Sequence, residues 1–194
     1  MNVRARTSNE ARFYMMVTPC TACGKGPRGL ASAQQPVAGA LSVATQCRAC
    51  ERTEEFAFEI EHDTPLSGSE SETINPTDKP SVIIDLAQWL SLFFLLVERA
   101  NAEEDGVVSR QASFQAALCL AEAIKFYRDG EDLPEESAFF SDASRAVFRE
   151  HPQKFSRRRL GDLQAKLPDM KTMARRINRD HWVRTKKWWQ FWRR

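Results

Sequence analysis

The sequence has no apolar run long enough to cross a bilayer. In its greasiest stretch the unbroken run is only Leu92–Val97, whereas a helical span takes about 20 residues. No basic segment followed by an apolar one opens it, so a secretory signal is not expected. It contains no dinucleotide fingerprint, no H-E-x-x-H and no G-x-S-x-G. Gly24-Lys-Gly-Pro-Arg-Gly29 lacks the spacing and terminal Lys-Ser/Thr of a phosphate loop, and reads as a turn. Histidine is scarce. His62, His151 and His181 fall in a linker, at a helix end and on a basic helix, none beside a credible nucleophile. Five cysteines, four of them at metal-like spacing, form no disulfide framework, and a reducing compartment, the cytoplasm, is expected.

Those four cysteines carry the strongest signal. Cys20-Thr-Ala-Cys23 and Cys47-Arg-Ala-Cys50 are two C-x2-C pairs separated by a hairpin-like segment. Four thiolates in this order match a tetrahedral site, which zinc favours because it binds sulfur well and has no d-electron geometry preference. Iron is the alternative, since four sulfurs do not by themselves select the metal. Residues 13–62 are too few to bury a self-sufficient core, so one structural Zn2+ would supply folding free energy directly. A site closed by four sulfurs leaves no position for water, which argues against an enzyme and implies no small-molecule substrate.

The segment resembles the zinc-ribbon superfamily, found in RNA-polymerase subunits, transcription factors, ribosomal proteins and many adaptors. Cys20, Cys23, Cys47 and Cys50 take its ligand positions, and Cys23-Gly24 matches its usual first knuckle. Glu51 stands where the second knuckle commonly has glycine, so a looser turn is expected there.

The remaining chain divides by composition. Residues 1–12 are polar, basic and without period, and are expected to be a disordered arm. Residues 13–62 are the ribbon: Phe13–Val17 reads as a strand entering the first knuckle, and Leu30–Ala33 and Leu41–Thr45 as hairpin arms. Phe56, Phe58 and Ile60 alternate with Glu55, Glu59 and Glu61, giving an acidic outer face poorly suited to phosphates. Lys25, Arg28, Arg48 and Arg52 lie near the knuckles, most simply as solvated turn charges. Residues 63–80 form an acidic Pro/Ser linker. Residues 81–168 predict a helical bundle, with Ser81 capping a helix to Glu104 that is apolar on nearly all sides, then helices over 109–128, 141–150 and 155–167. Burial of one flank of the first helix against a second copy is an alternative to the bundle core. Cys119 reads as a buried structural thiol, and the pairs Glu54-Glu55, Glu103-Glu104 and Glu135-Glu136 as solvated charges.

The net charge of +2 conceals a split: residues 154–194 carry 14 Lys/Arg against 3 Asp/Glu, and the preceding 153 residues are correspondingly acidic. The asymmetry ends in residues 169–194, which pattern as an amphipathic helix. Trp188, Trp189, Phe191 and Trp192 lie on or beside its apolar side, and Arg175, Arg176, Arg179, Lys186 and Lys187 cover the rest. Three readings stand. The helix packs on its own bundle, docks on an anionic membrane surface, or binds nucleic acid by phosphate contacts and base stacking. The expectation is an α+β chain: a four-cysteine zinc ribbon of small antiparallel β structure, a linker, an all-α bundle and a basic last helix. Its expected role is a non-catalytic binding or adaptor protein, with a protein partner or self-association, peripheral at an anionic membrane. The alternatives are a nucleic-acid-binding or transcription-associated ribbon protein, and a structural, oligomerising one.

Overall fold

The computed structural model describes residues 2–26, 28–33, 39–61 and 74–167. These residues form a mixed α/β fold of one four-stranded sheet and five α-helices. The elements are β1 (Asn2–Ala5), α1 (Ser8–Val17), β2 (Arg28–Ala33), β3 (Ala40–Cys47), β4 (Thr53–Ile60), α2 (Leu86–Ala102), α3 (Gly106–Ile124), α4 (Asp142–Glu150) and α5 (Arg157–Ala165). The sheet order is β1-β4-β3-β2, with β1 parallel to β4 and the other pairs antiparallel.

Alternation in β3 and β4 decides which face of the sheet is covered. Leu41 lies opposite Phe58 and Val43 opposite Phe56, and Leu41, Val43, Phe58 and Ile60 are buried. Glu55 and Glu59 point the other way and are exposed. The outer face is therefore acidic, as the two-residue period predicts.

The first 17 residues differ from expectation. The arm expected to be disordered over 1–12 forms β1 and the first half of α1, and the strand expected over Phe13–Val17 is the second half of that helix. The reason is that α1 buries two faces against two different cores. Ala11 and Met15, four residues apart, press on the sheet with Ala5, Leu41 and Val43. Phe13 faces the other way and meets Trp89 of α2 with ring centroids 5.9 Å apart. A helix gripped on both sides shows no single-face period. The signal present was Thr7-Ser-Asn-Glu10: Thr7 Oγ1 accepts from the Glu10 N–H at 3.1 Å, and Glu10 Oε2 accepts from the Arg6 N–H at 2.7 Å. This is close to the capping-box pattern of a helix start.

α2 and α3 make the second core. α2 buries Leu86, Trp89, Leu90, Leu92, Phe93 and Leu96, with Phe139, Phe155 and Leu160 closing over it. It starts at Leu86 because Asp85 and Gln88 form a full capping box. Ser81, expected as the cap, instead accepts from the N–H groups of Ile83 and Ile84. Phe94 and Leu95 remain exposed, so the helix is not covered all round. α3 starts at Asp105, whose carboxylate caps Val107 and Val108. Among the described residues no helix is long and apolar enough to cross a membrane.

The linker's central residues lie outside the described ones, but its end is not loose: Ile74 and Asn75 are buried. A polar cluster fixes them on α3. Glu122 Oε1 accepts from Lys125 Nζ at 2.7 Å and Oε2 from Asn75 Nδ2 at 3.2 Å, while the same Lys125 ammonium donates to the carbonyls of Asn75 and Thr77. Burial raises the Glu122 pKa, with Lys125 opposing. The end of the segment expected as a linker over 63–80 is therefore fastened to α3.

Two outcomes follow. Phe13→Ala should destabilise the protein by about 3 kcal/mol and lower the melting of sheet and helices together, as one transition by circular dichroism. Two separated transitions would show that α1 does not couple the cores. Lys125→Met leaves Glu122 buried and uncompensated, at a cost of about 3–5 kcal/mol. Because the folded pKa of Glu122 lies above its ordinary 4.5, the folded state binds the extra proton, and stability falls as pH rises from about 4.5 through the raised value. The variant's deficit in urea should therefore be larger at pH 8 than at pH 5. An equal deficit at both would remove Glu122 as the cause.

Candidate metal centre

The two C-x2-C pairs form two knuckles of the same construction. In the first, the Cys20 N–H donates to the Lys25 carbonyl at 2.9 Å and the Gly24 N–H to the Cys20 carbonyl at 2.8 Å. In the second, Cys47 N–H to Arg52 carbonyl is 2.9 Å and Glu51 N–H to Cys47 carbonyl is 2.8 Å. Each closes through a left-handed residue, Gly24 at φ 67° and Glu51 at φ 60°. The second turn is as tight as the first, against the expectation of a looser one, and Glu51 carries the strain that glycine avoids.

β2, β3 and β4 bring the knuckles together. Cys47 ends β3, β4 leaves the second knuckle, and β2 leaves the first. Cys20 Sγ lies 3.6 Å from Cys50 Sγ, Cys23 Sγ lies 3.7 Å from Cys47 Sγ, and all four sulfurs fall within 4.8 Å of one another. A tetrahedron with metal–sulfur bonds of about 2.3 Å has edges of about 3.8 Å, so the four thiols fit a single metal ion. Cys20 and Cys47 are buried, Cys23 is half-buried and Cys50 is exposed.

The thiols differ in acidity. The Ala49 and Cys50 N–H groups lower the Cys47 pKa to about 7. At Cys50 the Arg52 N–H favours the thiolate, but the neighbouring Cys20 and Cys23 thiols outweigh it and push the pKa up to about 12. Backbone N–H groups thus favour the thiolate at Cys47, while the neighbouring thiols oppose it at Cys50.

An ion pair holds the first knuckle to the sheet. Arg28, its side chain fully buried, pairs with Glu54 and donates to the carbonyls of Thr18 and Pro19 at 3.0 and 2.6 Å. Its guanidinium also lies 5.1 Å over the Phe56 ring. Glu54 accepts from the Thr21 N–H at 3.3 Å and from its hydroxyl. Hydrogen bonding from Thr21, then the Arg28 charge, holds its carboxyl below the usual carboxylate range. Glu54 had read as a solvated loop charge. It sits on the inward side of β4, in step with Phe56, Phe58 and Ile60, and that position was the signal that it needed a partner.

The other candidates sort as follows. Lys25, Arg48 and Arg52 are exposed beside the knuckles, and Arg52 lies 3.8 Å from Glu54, but Arg28 is buried and withdrawn from any ligand. Cys119 is a buried thiol whose pKa burial raises. Glu135 and Glu136 are exposed and ion-paired with Arg128 and Arg149. His151 is exposed beside Glu150. Arg175, Arg176, Arg179, Lys186, Lys187, Trp188, Trp189, Phe191 and Trp192 lie outside the described residues, as do His62 and His181. No family model, curated protein or solved structure matches the chain.

The equal knuckles give a paired outcome. Glu51→Gly should stabilise the metal-loaded protein by about 1 kcal/mol and Gly24→Ala should destabilise it by about 1–2 kcal/mol, read as chelator concentration needed for half release. A loss of affinity in Glu51→Gly would mean that the glutamate side chain contributes to the site.

Proposed function

We propose that Cys20, Cys23, Cys47 and Cys50 hold one structural Zn2+ in a zinc ribbon, and that the protein is a non-catalytic binding or adaptor protein of a reducing compartment. The observation that carries this reading is the sulfur geometry: four thiols within 4.8 Å saturate a tetrahedral ion and leave it no position for substrate or water. The Arg28–Glu54 pair supports a scaffold role, because it ties the first knuckle to the sheet through buried contacts.

Residues 169–194 then attach the protein to an anionic membrane surface, Trp188, Trp189, Phe191 and Trp192 entering the headgroup region and the arginines and lysines drawing the segment to charge. The sheet gives little support to nucleic-acid binding, since the open face of β4 exposes Glu55 and Glu59 and Arg28 of β2 is buried.

Purified protein should contain about one zinc per chain and show no iron charge-transfer colour. Tryptophan emission of the intact chain should shift to the blue with phosphatidylserine vesicles and stay unchanged with oligonucleotide, and a chain ending at Pro168 should not bind the vesicles. A response to single-stranded oligonucleotide alone, lost without the tail, would assign the tail to nucleic acid. No response to either would return the tail to the protein's own packing.

A further inference from the structure

α2 leaves part of its apolar surface open, and the open part is shaped. Ala87, Leu90 and Phe94 recur at the three-to-four-residue spacing of one helical face and form one wall of a groove. Ala143 and Val147 of α4 form the other wall, and the buried Phe155 closes the floor. The groove encloses about 310 Å³, at the lower end of the range of built binding sites. Phe94 keeps 47% of its surface exposed and Val147 44%.

One end of the groove is cationic. Lys154 and Arg159 line it, both exposed and neither paired with an acid among the described residues. They adjoin the basic start of α5, Arg157-Arg158-Arg159, where Asp129 pairs with Arg157 and the Asp132 carboxylate accepts from the Arg158 N–H, which leaves Arg159 without an acid among the described residues. Apolar walls at helical spacing with unpaired cations at one end fit an amphipathic helix that brings carboxylates. The chain's own last segment fits poorly, since residues 169–194 carry nine Lys/Arg against two Asp.

We propose that the groove between α2, α4 and the start of α5 receives an amphipathic helix of a partner protein, with apolar anchors between Phe94 and Val147 and acidic side chains on Lys154 and Arg159. This deepens the adaptor reading and rests on it, by stating the kind of partner the helical half would hold.

The test uses the intact, metal-loaded chain labelled with ¹⁵N and a synthetic helical peptide with a Leu/Phe stripe and Glu along one flank. A second peptide carries Lys in place of Glu. The Glu peptide should shift amide resonances around Leu90, Phe94 and Val147 and bind about tenfold tighter than the Lys peptide at low salt. Lys154→Glu combined with Arg159→Glu should reverse that order, and Phe94→Ala or Val147→Asp, both at exposed positions, should weaken both peptides. Absence of shifts at about 1 mM peptide overturns the proposal, as does a preference unchanged by the charge reversal. A dimer in sedimentation that Val147→Asp dissociates would give the groove to a second copy instead. Vesicle binding separates the two readings. Retained vesicle binding with no groove binding removes only this inference, and the loss of both removes the adaptor reading with it.

Discussion

Phe13 meets Trp89 on one side of α1 while Ala11 and Met15 press on the sheet from the other. Neither core can form its native surface without this helix, and α1 ends only three residues before Cys20. The sheet with its cysteine cluster and the helical half thus share a wall. Work done on one is felt by the other through close-packed side chains, which relax only partially when displaced. A ribbon of this size has little core of its own. Here the helix on the inner face of the sheet supplies part of what is missing.

The polar interactions inside the protein fall where separate segments have to be joined. Arg28 and Glu54 meet where the first knuckle enters the sheet, and Glu122 and Lys125 meet where the chain returns from the linker to the bundle. Each is buried, and each also bonds to backbone carbonyls or N–H groups of the segment it secures. A buried pair supplies little net stability beside an apolar alternative, but it tolerates only one arrangement of its partners. Both pairs act as positional devices at junctions where apolar packing alone would permit a slip.

The cysteine cluster was legible because spacing alone encodes a knuckle, and the hairpin and β4 because a two-residue period is local. The helices of the second half were legible to within a few residues, their starts misplaced because Ser81 and Asp85 both look like caps and only Asp85 has Gln88 three residues on. The N-terminal 17 residues were not legible. β1 is four residues long and gains its order from β4, more than fifty positions away, and α1 spreads its apolar residues around two faces. The Arg28–Glu54 pair was half hidden: the step of Glu54 with Phe56, Phe58 and Ile60 marks an inward carboxylate, but that Arg28 meets it is a tertiary fact.

The parallel pairing of β1 with β4 also sets an order of events during synthesis. Ala5 lies opposite Ile60, so the first strand made waits for the last strand of the sheet, roughly three to ten seconds at ordinary elongation rates. The first knuckle waits about half as long for Cys47 and Cys50. Closure of the four-cysteine cluster and closure of the sheet therefore become available within the same dozen residues of emerging chain, and until then β1 has no template on which to pair.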